Sequence, residues 1–408
     1  MRDICWNETY LEAFHGYLYT VNNGKMDVEG FIDSPYGQEL ARRLQIRSQI
    51  QEDHERAKAY YASIGLRKEY RDWEDYYTRW TLLVPAEQTG KMPLLIYLHG
   101  GGNSIEAEEN MTGFAQIAAT EGFMLACPQN TNPEKVEEII DKVGACHPLD
   151  ESRIYLAGFS QGGAQTHAAY FRHPQRFAGA VTSGDSIWNP WDVFEVPYTK
   201  AELEKARQCV VPLMMLCGQC EPFAYAPLND YRPTSFGANG KPWGSPDTFS
   251  NVGMNFDVDP TRIHDLSKGK FDAAFGKPED HKWRTAKKMM PQSGEEPGRW
   301  NLGRVNVRMQ LLGCKERDVE TCLSFRDIHQ DELHYITGIY GDWEGIEYHY
   351  GYRHYTVGIN DAAGREVFRF VVVQNSPHWP QLAMGELGWK FLKKYRRDTK
   401  TGDLIMEE

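Results

Sequence analysis

The sequence predicts an α/β fold: a mostly parallel, doubly wound sheet with an N-terminal extension and a long cap-like insertion before the last strand. Three observations carry this. From residue 92 to residue 217, short and continuously apolar runs alternate with helical stretches, the pattern of parallel strands covered on both faces. The apolar run at 154–157 leads straight into Gly158-Phe-Ser160-Gln-Gly162, a G-x-S-x-G turn, with helix-forming residues behind it. The rhythm then breaks over residues 228–345 and resumes before the C-terminus.

The elements follow in order. Residues 1–37 are polar and aromatic, with Asn22-Asn-Gly24 and Ser34-Pro-Tyr-Gly37 as turn signals. A charged helix is expected over 38–64, where Leu40 and Leu44, and Ile46 and Ile50, fall on one broad side. Residues 69–84 read as strand and 85–91 as a turn, so 1–90 is expected to be an extension packing on the core. Strands are then expected at 93–98, 123–128, 154–157, 177–182 and 210–217. Helices are expected between them at 105–121, at 133–145 with Pro133 in the first turn, at 164–170 and at 200–207. The insertion, 229–345, is rich in Gly, Pro, Asn and Asp and carries Trp243, Phe249, Phe256, Trp283, Trp300 and Trp343. A strand and hairpin turn at 355–365, a strand at 366–373 and a closing helix at 381–395 complete a core of 91–228 and 346–408.

Composition narrows the partners. The chain has 408 residues, 41% of them hydrophobic, enough for one large domain with insertions or for two domains. Its net charge of −12 argues against nucleic acid and against an anionic membrane surface. No apolar run is long enough to span a bilayer. The first residues lack the apolar centre of a secretion signal, so the expected location is cytoplasmic unless a precursor segment precedes them. Eight cysteines are scattered, several in apolar runs, and read as reduced core thiols.

The chemistry centres on Ser160. Its turn is sharp, and Gly158 and Gly162 remove the side chains that would clash with the adjoining strand and helix. A serine hydroxyl needs a base, and a loop after a late strand should supply it. His378 follows the last strand and precedes the closing helix. Glu221, just after the strand at 210–217, is the candidate acid that would orient the imidazole. Asp185, after the preceding strand, is the alternative acid. His99-Gly-Gly-Gly102 ends the first core strand. The backbone N–H of Gly101 or Gly102, with that of Gln161, is expected to hold an oxyanion. Two other clusters read as structural. Cys217-Gly-Gln-Cys220 has no second C-x-x-C for a metal and no thioredoxin-like setting. Tyr348-His-Tyr-Gly-Tyr-Arg-His354 resembles a metal cluster only superficially, and a loop is expected there.

Together these residues resemble the α/β-hydrolase superfamily, most of all its esterases related to polyhydroxybutyrate depolymerases and feruloyl or acetylxylan esterases. The resemblance covers roughly residues 92–228 and 350–395 and uses Leu98-His-Gly-Gly-Gly102, Gly158 to Gly163, Gly218 to Glu221 and His378-Trp-Pro380. The chain departs in having Glu221 for the usual Asp, in a His-Trp-Pro one residue short of His-x-Trp-Pro, and in the length of its insertion. The elbow string is also similar to that of carboxylesterases and acyl-protein thioesterases. The resemblance implies a serine esterase acting through an acyl-enzyme on a small-molecule or carbohydrate-linked ester, with no cofactor or metal. Trp188, Trp191 and Trp379 are the expected substrate contacts, and the insertion the expected cap over them. A serine peptidase of the prolyl-oligopeptidase type shares the elbow, and a catalytically inactive binding protein could share the scaffold.

Overall fold

The computed structural model describes residues 34–51, 53–87, 90–100, 105–184, 200–218, 340–373 and 380–407, with Met309, Leu312, Cys314 and Thr337. The charged stretch at 38–64 forms two helices, α1 (Pro35–Ile50) and α2 (His54–Ser63), where one was expected. The break has a local cause. Gln51 is extended, and the Asp53 carboxylate accepts the Arg56 N–H at 2.9 Å, capping α2. Residues 69–84 are likewise two strands, β1 (Leu66–Arg71) and β2 (Trp80–Pro85), paired antiparallel. Asp72 turns the chain out of β1 at a φ of 50°.

The alternating part follows as expected, with one break. After β3 (Met92–Leu98) come α3 (Ile105–Met111) and α4 (Phe114–Glu121), where one helix was expected. Gly113, at φ 82°, ends the first and opens the second, because a left-handed residue cannot continue a right-handed helix. Then come β4 (Met124–Pro128), α5 (Pro133–Cys146), β5 (Leu149–Phe159), α6 (Gln161–Arg172), β6 (Gly179–Ser183), α7 (Lys200–Gln208) and β7 (Leu213–Gly218). In α5, Val136, Ile139, Ile140 and Val143 are buried. Each contributes about 1.5–3 kcal/mol, whereas a cap contributes about 1 kcal/mol and Asn132 makes no side-chain cap bond. The apolar stripe therefore fixes this helix.

The sheet resumes earlier than expected. Trp343, assigned by sequence to the insertion, opens β8 (Trp343–His349), which pairs antiparallel with β9 (Tyr352–Asn360). The expected loop at 348–354 is the tip of this hairpin, with Tyr350 and Gly351 at positive φ. β10 (Glu366–Val373), α8 (Met384–Leu392) and the small pair β11 (Tyr395–Arg397) and β12 (Leu404–Met406) finish the chain. The rest of the insertion lies mostly outside the described residues. Met309 and Leu312, which do not, are buried in the main core.

The ten-stranded sheet runs β1-β2-β4-β3-β5-β6-β7-β10-β9-β8; the strands from β4 to β10 in that order are parallel to one another, and β2 and β9 join them antiparallel. Alternate residues of each parallel strand enter opposite cores: Leu94, Ile96 and Leu98 one, Leu95 and Tyr97 the other. That is why the strands read as unbroken apolar runs. The chain order reverses at β3: β4 lies on one side and β5 on the other. Ligands of open α/β sheets bind at such a reversal, beyond the C-terminal strand ends.

Candidate active site

Strand register places the site. Leu98, Gly158, Thr182, Met215 and Phe370 sit side by side across β3, β5, β6, β7 and β10. The five strands therefore leave the sheet on one edge. With neighbours about 4.8 Å apart, the row spans about 20 Å.

Ser160 follows the last residue of β5 with φ 52° and ψ −115°, far from the regions a serine prefers. Such a conformation costs about 1–3 kcal/mol and persists only when its surroundings impose it. Here they do. The Ser160 N–H donates to the Ser183 carbonyl at 2.9 Å, and its own carbonyl accepts from Ala164 N–H at 3.1 Å. A Cβ on Gly158 would collide with the Gly162 carbonyl and sit 2.6 Å from Thr166 Oγ1. One on Gly162 would collide with the Leu98 carbonyl and sit 2.6 Å from that of His99. Both elbow glycines are thus required by close approach of backbone to backbone. Gln161 takes the first position of α6, where helical N–H groups lack an intrahelical acceptor and carry the positive end of the dipole.

Across the reversal point, β3 runs into His99. Its Nδ1 lies 2.8 Å from the Gly100 carbonyl and its Nε2 2.9 Å from that of Gln129. Arg79 Nη2 donates to Gln129 Oε1 at 3.3 Å, and Gln129 N–H to the Arg79 carbonyl at 3.0 Å. The root of the glycine loop is therefore tied to the exit of β4 and the entry of β2. In α3, the helix that follows that loop in sequence, Glu109 is fully buried and accepts from Lys68 Nζ at 2.5 Å, Tyr61 OH at 2.8 Å and Thr81 Oγ1 at 2.5 Å. Burial, and then the Glu109 charge, push the Tyr61 hydroxyl well above its ordinary pKa. Glu108 is buried too, and burial followed by its charge does the same to Tyr97. Sequence reasoning missed Arg79, Gln129, Lys68 and Glu109. Two adjacent glutamates on a short helix look like a solvated face, and only their opposition to Lys68 reveals otherwise.

Of the residues expected in the site, Ser160 and Gln161 are brought together at the elbow. Gly101, Gly102, Asp185, Trp188, Trp191, Glu221, His378 and Trp379 lie outside the described residues. Their described neighbours, Gly100, Gly184, Gly218 and Val373, stand at the exits of β3, β6, β7 and β10. Cys217 is buried in β7, and Cys220 is outside the described residues. In the β8–β9 hairpin, His349 Nε2 lies 3.2 Å from Glu347 Oε2 and its Nδ1 3.5 Å from Glu386 Oε2. Among the described residues no group of His, Cys, Asp and Glu is placed to hold a metal ion. No described helix is long and apolar enough to cross a membrane.

No family model matches the chain. It is similar to the bifunctional acetylxylan esterase/xylanase XynS20E of Neocallimastix patriciarum, with 26% identity over 144 residues, 31% of this chain and 22% of that protein. It is also similar to poly(3-hydroxyalkanoate) depolymerase C of Paucimonas lemoignei, with 27% identity over 120 residues, 24% of this chain and 29% of that protein. The chain thus spans under a third of the length of these two relatives. Among solved structures, the Staphylococcus aureus fluorophosphonate-binding serine hydrolase F aligns with a TM-score of 0.33 at 18% identity, over 38% of this chain and 80% of that one. The strand order, its reversal at β3 and the strained serine between β5 and α6 give this chain the α/β-hydrolase fold, and part of its sequence is similar to those of an esterase and a polyester depolymerase.

Proposed function

We propose that the protein is a serine hydrolase that cleaves a carboxylic ester through an acyl-enzyme. The observation that carries this is the strained Ser160, held at φ 52° at the start of a helix and beside the sheet's reversal point. A serine nucleophile needs a sharp strand-to-helix turn and a helix terminus beside it, and Ser160 has both.

In this reading Ser160 Oγ attacks the ester carbonyl as His378 takes its proton. The carbonyl oxygen, now negative, accepts from the N–H of Gln161 and of Gly101 or Gly102. His378 returns the proton to the departing alcohol. Water, deprotonated by His378, then attacks the acyl-enzyme, and the acid leaves with Ser160 restored. Glu221 holds the imidazole in the required tautomer and stabilises its protonated form. Chain reach supports the role of Glu221. β7 stands two strands from β5, about 10 Å, and Glu221 is three residues past Gly218, a reach of about 10 Å. Asp185 is the weaker acid, because β6 adjoins β5 directly at about 4.8 Å and leaves little room for an imidazole between.

The similarity to an acetylxylan esterase and a polyester depolymerase favours an acylated sugar or hydroxyacid ester as substrate. The aromatic part of the insertion ahead of Met309, residues 229–305, with Trp188, Trp191 and Trp379, would line its pocket. A panel of p-nitrophenyl, feruloyl and acetylated-sugar esters tests both points. Turnover of at least one ester that disappears in Ser160→Ala is expected, and no turnover of any would overturn the reading. Replacing 235–305 by a short linker, which spares the core residues Met309 and Leu312, should keep p-nitrophenyl acetate turnover and lose selectivity among the larger esters. Unchanged selectivity would remove the cap from the account.

A further inference from the structure

One arginine of the N-terminal segment ties together two segments that follow the glycine loop and the candidate base in sequence. Arg43, in α1, is 4% exposed. Its Nη1 donates to the Met111 carbonyl at 2.5 Å and to the Leu382 carbonyl at 2.9 Å. Its Nη2 donates to Tyr350 OH at 2.9 Å and its Nε to Glu39 Oε1 at 2.6 Å.

The two carbonyls have particular addresses. Met111 ends α3, the helix that begins three residues past Gly102. Its carbonyl is among those that a helix C-terminus leaves without an intrahelical donor, at the negative end of the dipole. Leu382 is four residues past His378, in the turn that opens α8. One guanidinium thus grips the helix that follows the glycine loop in sequence and the turn that follows the candidate base. The two segments also meet directly. Gly385 N–H donates to the Thr112 carbonyl at 2.7 Å, and a Cβ on Gly385 would lie 2.7 Å from Thr112 O, Gly113 C and Phe114 N.

On the proposed serine-hydrolase reading, we infer that Arg43 is a positioning residue for catalysis: it sets the separation between the oxyanion donors and the base. The planar fork of a guanidinium can serve two carbonyls, a phenol and a carboxylate at once. A lysine ammonium is a compact point charge on a flexible stem and cannot. Misplacement of a catalytic group by about 1 Å costs on the order of 100-fold in rate.

The test uses Arg43→Lys and Arg43→Ala in the full chain. Active sites are titrated with a fluorophosphonate probe, and kcat on p-nitrophenyl acetate is expressed per labelled site. A purely structural residue would lower the number of labelled sites and leave kcat per site intact. Positioning predicts a loss of about 10- to 100-fold in kcat per site with KM nearly unchanged. Hydrogen exchange read on the same variants predicts faster exchange in 105–111 and in 381–385 together, with β1 and β2 unaffected. Where Arg43→Ala does not fold, Arg43→Lys keeps the charge and carries the comparison. Wild-type kcat per site, or faster exchange in neither or only one of the two segments, overturns the inference. Should the wild-type protein take no probe and turn over no ester, the serine-hydrolase reading fails instead, and the exchange result alone decides whether Arg43 couples the segments.

Discussion

Gly162→Ala puts a methyl group where α6 comes closest to β3. The new Cβ would overlap the Leu98 carbonyl and lie 2.6 Å from the His99 carbonyl oxygen. Carbon-to-carbonyl oxygen contacts begin at about 3.3 Å, so α6 must retreat by about 0.7 Å to clear His99 alone, and further to clear Leu98. Ser160 immediately precedes α6 and would travel with it. A displacement of about 1 Å costs on the order of 100-fold in rate, or about 2.7 kcal/mol of transition-state stabilisation. Overpacking of this kind costs about 1–3 kcal/mol of stability besides. Gly144→Ala is the matched control. It lies inside α5, and its Cβ would meet Leu149 Cδ2 at an ordinary 3.6 Å. Alanine there should stabilise by about 0.5–1 kcal/mol. Thermal denaturation and kcat on p-nitrophenyl acetate read both variants. The expected result is a lower Tm and a kcat reduced about 100-fold for Gly162→Ala, and a raised Tm with unchanged kcat for Gly144→Ala. Wild-type kcat in Gly162→Ala would refute the argument that the elbow has no room for a side chain.

Three further outcomes follow from named groups. Glu221→Gln should lower kcat far more than Asp185→Asn, because a neutral partner cannot stabilise an imidazolium; the opposite ranking would move the acid to the earlier strand. His354 is held down to about 4, first by burial and then by the neighbouring His349 charge, against the Tyr352 carbonyl and Glu347, which pull the other way. A histidine with a lowered folded-state pKa gives stability that is present above its ordinary value near 6.5 and lost as pH falls from there through about 4. Wild type should therefore lose on the order of 3 kcal/mol between pH 7 and pH 4 that His354→Gln does not. Equal acid losses in urea denaturation would contradict this. Lys68→Met strands the buried Glu109 carboxylate and should cost about 3–5 kcal/mol, part of it recovered by adding Glu109→Gln. A loss below about 1 kcal/mol would show that the Tyr61 and Thr81 hydroxyls suffice.

The parallel core was legible in the sequence because a strand buried on both faces must be apolar throughout, as residues 93–98 and 154–157 are. The elbow was legible because no side chain fits where Gly158 and Gly162 stand. The breaks at Asp53 and Gly113 were not. An aspartate in a charged helix reads as surface, and its capping bond depends on the chain already having turned. β8 was hidden among the insertion's aromatics because it is an outer strand with Glu344, Ile346, Glu347 and Tyr348 exposed, so it lacks the apolar signature. Its Trp343 belongs to the sheet because the ring fills the space over Gly358 of β9. The buried charges were least legible. Arg43 and Glu109 look like any helical surface residue until Leu382 and Lys68, distant in sequence, are brought against them. For the candidate site, sequence gave chain order, and the register of β3, β5, β6, β7 and β10 turns that order into a common edge.

The central claim is that Ser160 is a nucleophile activated from the exit of β10. Labelling by a fluorophosphonate probe, mapped by mass spectrometry on intact and digested protein, tests it most directly. The account predicts one equivalent of label on the peptide carrying Ser160, none in Ser160→Ala, and labelling slowed by orders of magnitude in His378→Ala, with both variants folded as wild type. Label on another residue, or wild-type labelling rates without His378, would contradict it.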